Sequence, residues 1–358
     1  MKPLCALADD RSAFVSEADT VWAGYTIINI RSLLSDKPDS DDRLYRSLSP
    51  DEVLNTQPDH LAVLYTSGST GVPKGVHITH RMLMNRILWQ WDRFPFRSDD
   101  VGCLKTSPLF VDSVVEMFSC LLHPVNLVVA RAGITSNVEE FLGFLQRHRV
   151  TRLVLVASLL QSILCFLSTP SELERFPLRQ LELWISNSET LSASNARQFF
   201  ATFPRRKTLC NFYGGTETMA DVTFDVFSSV EDVERKSVDD ALSIGCPIWN
   251  TIVYVADDRG QLCGRGDIGQ ICVSGLNITS KGYVSKDDNI KHFVINSFLE
   301  QVEFPNCQEV GNHRILYRTG DYGRIVNARI IYEGRRDSQV IRISDFVNRY
   351  SPWIPTRK

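Results

Sequence analysis

The chain has 358 residues, 43% hydrophobic and 23% charged, which suits about two or three folded units and excludes disorder for the bulk of it. Its 39 lysines and arginines against 42 aspartates and glutamates leave a net charge of −3. That lacks the basic excess that nucleic acid or an anionic membrane surface demands, so neither is expected as a partner. Nine scattered cysteines with no CxxC pair, and no signal peptide before Asp9, argue against a disulfide framework and for a cytoplasmic setting.

Residues 1–58 carry no strong pattern, and SLLSDKPDSDDR (32–43) reads as a polar loop. From 59 to 240, short β-rich runs alternate with helical periodicity, which predicts an α/β core of sheet covered by helices. LAVLYT (61–66) reads as a buried strand running into a Gly-rich loop. A helix follows over 79–91, with Thr79 as its cap and Met82, Leu83, Ile87 and Trp91 as apolar positions. The most apolar run, Leu153 to Leu167, is broken by Ser158, Gln161 and Ser162 and falls short of the ~20 residues of a membrane span. It divides into a strand, RLVLVA (152–157), and a helix, SLLQSILCFL. LELWIS (181–186) is a strand, a helix runs through Ala193 to Phe200, and TLCNFY (208–213) is another strand. From 241 to 340 the pattern turns β-rich, with TIVYVA and GQICVSG about a DDRG turn (257–260), then LYRTGDYGRIV and ARIIYEGR. Residues 341–358 form an atypical tail. The Asn-x-Thr sequon at Asn277 is expected to be a chance occurrence.

The strongest chemical signal is YTSGSTGVPKG (65–75). Glycine lets backbone approach a ligand closely, consecutive N–H groups and hydroxyls cradle phosphate oxygens, and Lys74 supplies a charge. Pro73 before Lys74 and Gly75 after it exclude the Walker pattern. Composition alone favours a Ser/Gly-rich surface loop; the exact order of the residues is what points to phosphate.

The order of those residues resembles the phosphate-binding loop of the adenylate-forming superfamily, which includes acyl-CoA synthetases, luciferases and the adenylation domains of nonribosomal peptide synthetases. NFYGGTETMAD (211–221), LYRTGDYGRI (316–325) and IIYEGRRDSQV (330–340) resemble three further family segments in the same order. Gly215 stands where many members have Pro. The resemblance implies the family's large N-terminal core, with helix-covered sheets and a small distorted β-barrel. It implies ATP and Mg²⁺, and attack of a carboxylate on the α-phosphate. Thr66, Ser67, Gly68, Ser69, Thr70, Gly71 and Lys74 would hold the β- and γ-phosphates. Thr216 would contact the α-phosphate, Glu217 would ligate Mg²⁺, and Tyr213 would stack on adenine. Asp321 would accept the ribose hydroxyls, helped by Arg335 and Tyr332, and Asp337 would be the hinge. From Ile341 the sequence departs from the family, so the C-terminal lid domain and its lysine are expected to be missing. Phosphopantetheine would belong to a carrier domain absent from this chain; that domain, or the rest of a longer synthetase, would be its partner.

SPLFVDSVVEMF (107–118) resembles the FDxSVxEM segment of amino-acid-activating members, whose Asp after the Phe pairs with an α-amino group. Here Val111 follows Phe110 and the acid is Asp112. A one-residue shift moves a carboxylate by about 3–4 Å along the backbone, which suits a β-amino group. Val111, Asp112, Val115, Ser186, Phe212, Ala220 and Asp221 are the expected pocket, a combination that resembles the β-alanine pattern. Asp112 and Asp221 would flank one ammonium group. FVDSV and ILWQWDRFPF (87–96) resemble the Ebony-type β-alanyl-amine synthetases. Asn187-Ser188-Glu189 stands where Gly-Gly-Glu is usual. Two other readings stay open: a nucleotide-binding remnant without turnover, and an acyl-CoA synthetase. Against the second, a buried carboxylate facing an apolar acyl chain would be costly.

Overall fold

A computed structural model of the protein describes residues 60–66, 73–123, 125–204, 207–279, 281–301 (backbone alone at 286–288 and 301) and 313–335, together with two short strands nearer the N-terminus. Those strands, β1 (Cys5–Ala8) and β2 (Thr26–Asn29), pair in parallel. They belong to a compact unit, Met1–Pro58, separate from the unit Asp59–Lys358.

The second unit opens with a hairpin of β3 (Ala62–Thr66) and β4 (Lys74–Ile78), whose register sets Thr66 opposite Lys74 at the loop end. The expected buried strand is thus only half buried: it sits in a two-stranded sheet, and Val63 and Tyr65 are exposed. α1 (His80–Arg93) follows, capped by Thr79 Oγ1, which accepts the Met82 N–H at 3.2 Å. β5 (Val101–Leu104), α2 (Val111–Leu121) and β6 (Asn126–Val129) form a parallel βαβ unit. After α3 (Val138–Arg147) come β7 (Arg152–Leu155), α4 (Ala157–Phe166), α5 (Pro170–Arg175), β8 (Leu183–Ser186), α6 (Ala193–Thr202) and β9 (Thr208–Tyr213). Helical crossovers let β7, β8 and β9 run parallel.

Strand alternation then sorts the core. Trp184 and Leu209 face the helices, packing with Leu160, Ile163, Leu164 and Phe199 of α4 and α6. Leu183, Ile185, Cys210 and Phe212 face the other way, onto Trp89 of α1 and Phe94. The sheet is therefore covered on both faces, as βαβ units require.

Beyond β9 the strands are antiparallel: β10 (Thr223–Phe227), then, past α7 (Val230–Arg235), β11 (Ser237–Val238), β12 (Ala241–Pro247), β13 (Thr251–Ala256) and β14 (Gly269–Gly275). α8 (Lys286–His292), β15 (Phe293–Ile295), β16 (Ile315–Val326) and β17 (Arg329–Arg335) complete the described part. One sheet runs β13-β14-β16-β17-β12-β10-β9-β8-β7, with β11 and β15 attached at β12 and β16. Strands from both sides of residue 240, which lies in the turn between β11 and β12, belong to this one sheet. Because β12 bonds onward to β10 rather than back to β13, the array stays open, and no closed barrel forms among the described residues. No described helix is long and apolar enough to cross a membrane.

Candidate active site

The end of β9 and the paired strands β16 and β17 bring four expected residues together. The Tyr213 hydroxyl donates to Asp321 Oδ2 at 2.8 Å. Arg335 Nε stands 3.5 Å from Asp321 Oδ1, and its Nη2 donates to the Thr319 carbonyl at 3.1 Å. The Tyr332 ring lies 5.9 Å from that of Tyr213. Register explains the cluster, since Asp321 pairs with Arg335 across the β16–β17 hairpin. Burial and then the Asp321 charge hold the Tyr213 phenol well above its ordinary pKa, so it stays a donor.

Past Tyr213 the chain turns sharply. Gly214 has no room for a side chain, because a Cβ there would lie 1.9 Å from the Ala220 carbonyl oxygen. Thr216–Thr218 makes one 3₁₀ turn, and Met219 and Ala220 both take left-handed conformations. Asn277 pins this turn: its Nδ2 donates to the Thr218 and Asp221 carbonyls, while its Oδ1 accepts from Asn85. The sequon asparagine is fully buried and so closed to a glycan. Glu217 accepts the Tyr283 hydroxyl at 2.9 Å, and Lys74 Nζ lies 5.2 Å from the centre of the Tyr283 ring. Cation, phenol and carboxylate are thereby strung together across β4 and the turn. Ser67, Gly68, Ser69, Thr70, Gly71 and Asp337 lie outside the described residues.

These features fit a bound nucleotide with its metal. The turn is a tight glycine cradle, Asp321 offers acceptors, and Lys74 supplies a buried cation. Mg²⁺ needs only one or two protein carboxylates when phosphates complete its shell. Glu217 meets that requirement, and no cluster of three metal-binding side chains occurs among the described residues.

Asp112 sits in the first turn of α2. Its Oδ1 accepts from Asn187 Nδ2 at 2.7 Å and its Oδ2 from Ser188 Oγ at 3.0 Å. Burial and then the nearby Asp221 charge push its acid up to about 7. Glu116, one helical turn further on, pins the preceding segment through the Lys105 and Thr106 N–H groups and the Lys105 ammonium. Val111, Val115 and Ala220 share one apolar cluster with Met219 and Tyr283. Phe212 belongs to a different, aromatic cluster with Trp89, Phe94 and Phe224. The fully buried Ser186 hydroxyl has no hydrogen-bond partner among the described residues.

Asp221 differs from expectation. It forms a buried ion pair with Arg86 of α1, at 2.7 Å from Nη2 and 3.2 Å from Nε. Arg86 also donates to Gln90 at 2.9 Å and lies over the Trp89 and Phe212 rings. The Asp221 carboxylate thus already has an ion-pair partner, whereas the Asp112 carboxylate is held by an amide and a hydroxyl. Arg86 escaped the sequence reading although a signal existed: a charge at the centre of the Met82, Arg86, Gln90 row at i, i+4 spacing. Tyr283 and Asn277 had no such signal.

A family model described as AMP-binding enzyme matches residues 8–284. The chain is 39% identical over 298 residues to the β-alanyl-bioamine nonribosomal peptide synthetase ebony of Drosophila melanogaster, covering 82% of this chain and 32% of that protein. It is 30% identical over 292 residues to zwittermicin A synthase ZmaJ of Bacillus cereus, covering 81% of this chain and 52% of that one. It thus spans about a third and about half of these relatives' lengths. Among solved structures, the Vibrio cholerae adenylation domain AlmE in complex with glycyl-adenosine-5'-phosphate superposes with a TM-score of 0.67 at 20% identity, over 92% of this chain and 56% of that one. McyG A-PCP with phenylalanyl-adenylate gives 0.69 at 19% identity, over 92% and 49%. At such identity these structures establish the fold. The family match extends over more than half of the sequence, and the chain belongs to the AMP-binding, adenylate-forming enzymes.

Proposed function

We propose that this chain activates β-alanine as its adenylate. The substrate carboxylate oxygen bonds to the α-phosphorus of ATP, the bond to the bridging oxygen breaks, and pyrophosphate leaves with the electron pair. When bound, Mg²⁺ supplies Lewis-acid stabilisation of the charge on the phosphoryl oxygens. Glu217 would hold the ion, and Tyr283 orients its carboxylate. Lys74, with Thr66 and the loop between them, would bind the outer phosphates, and Thr216 the α-phosphate. Tyr213, Tyr332, Asp321 and Arg335 would hold the nucleoside. Donors already in place need no reorganisation as charge develops.

Asp112 would anchor the ammonium group, with Val111, Val115 and Ala220 as apolar walls. Ser186, Phe212 and the ion-paired Asp221 would lie behind them. The observation that carries the reading is the displaced acid, Asp112, oriented by two side-chain donors. The ebony relative, at 39% identity, supports the β-alanyl assignment. Later loading onto a phosphopantetheine arm we assign to a carrier domain.

β-Alanine-dependent exchange of labelled pyrophosphate into ATP tests this, with α-alanine and acetate as controls. Exchange specific to β-alanine is expected. Equal exchange with acetate would sink the amino-acid reading. No exchange from a folded sample would favour the nucleotide-binding remnant.

A further inference from the structure

Two departures from the family pattern meet in space. The acid is displaced to Asp112, and Asn187-Ser188 replaces the usual pair of glycines. Each oxygen of Asp112 takes one bond from one of these two side chains. Glycines would offer no side-chain donor at either place. A carboxylate has about four acceptor sites, so capacity remains for an ammonium group.

The support is itself braced. The Asn187 N–H donates to the Leu155 carbonyl at 3.1 Å. Glu189 accepts the Ser158 N–H at 2.7 Å and its hydroxyl at 3.1 Å, locking the segment to the start of α4. Ser188 has φ 63°, a conformation that costs serine but not glycine. Its hydroxyl is spent on Asp112. Arg86, meanwhile, balances the neighbouring carboxylate of Asp221.

We infer that Asn187 and Ser188 are positioning residues that set the preference for a substrate bearing a β-amino group over its deaminated counterpart by fixing the displaced carboxylate of Asp112. The inference rests on the reading of Asp112 as the amine anchor. Calorimetric binding of two non-hydrolysable sulfamoyl-adenosine analogues, β-alanyl and propionyl, to the whole chain tests it. The preference of the wild type for the β-alanyl analogue should fall roughly tenfold in Ser188→Gly and further in Asn187→Gly/Ser188→Gly. Propionyl affinity should hold within about twofold, whereas a purely structural role would weaken both analogues alike. Ser188→Gly should melt no lower than the wild type, because the left-handed backbone suits glycine. Should the double variant keep its preference while Asp112→Asn loses it, the positioning role falls and the anchor stands. A wild type that binds both analogues alike, or neither, overturns the anchor and the positioning role together.

Discussion

Asp112 is built for binding at the expense of stability. With its acid raised to about 7 by burial and by Asp221, it holds a proton more tightly folded than unfolded. Folded-state stability is therefore lost as pH rises from about 4 towards 7, where the unfolded chain has already released that proton. Recognition of an ammonium runs the other way, because it needs the anion. We expect β-alanyl-adenylate analogue affinity to fall as pH drops through 7. Asp112→Asn should flatten that profile. It should also stabilise the chain at about pH 8 by about 1–2 kcal/mol, less than the full shift implies because the group is partly exposed. Titration calorimetry across pH and thermal unfolding check the two halves. Asp112 was legible from its place after Phe110; its partners Asn187 and Ser188, 75 and 76 residues away, were legible only as odd substitutions.

At the scale of elements, turns carry the most information. The β16–β17 hairpin was readable from its apolar pattern, but its connection is a two-residue turn in which Asn327 and Ala328 have φ of 51° and 57°. Such a turn favours Asn-Gly, so alanine is strained at the second place. Ala328→Gly should raise unfolding stability by about 1 kcal/mol in denaturant titrations. The opposite holds after β9. Gly214→Ala would drive a methyl into the Ala220 carbonyl, open the turn that carries Thr216 and Glu217, and cut ATP-analogue affinity by at least roughly tenfold. Equilibrium dialysis of a non-hydrolysable ATP analogue would show it, and unaltered affinity would contradict the cradle. Thr79 was a readable cap because Ncap preference is local; Thr79→Ala should cost about 1 kcal/mol.

Across the whole molecule, Arg86 ties α1 to the turn that follows β9 and lies between two hydrophobic clusters. A buried pair is costly to break on one side only. Arg86→Met should destabilise by about 3–5 kcal/mol, and Arg86→Met/Asp221→Asn should recover much of that loss. A double-mutant cycle measured by urea unfolding decides it; additive losses would mean that the pair is uncoupled.

The strands and helices with clear period, the cap at Thr79 and the family's motifs are properties of residues close in sequence, and the sequence determined them unaided, whereas the β5–α2–β6 unit and the β10–β12 strands emerged only from the fold. Period, capping and glycine placement act over a few residues. The openness of the antiparallel array, the pairing of Asp221 with Arg86, the contact of Tyr283 with Glu217 and the clamp on Asp112 depend on groups up to 135 residues apart. Only the folded chain decides those, because an ion pair or hydrogen bond requires two particular atoms within a few ångströms, and spacing along one strand or helix says nothing of what arrives from another.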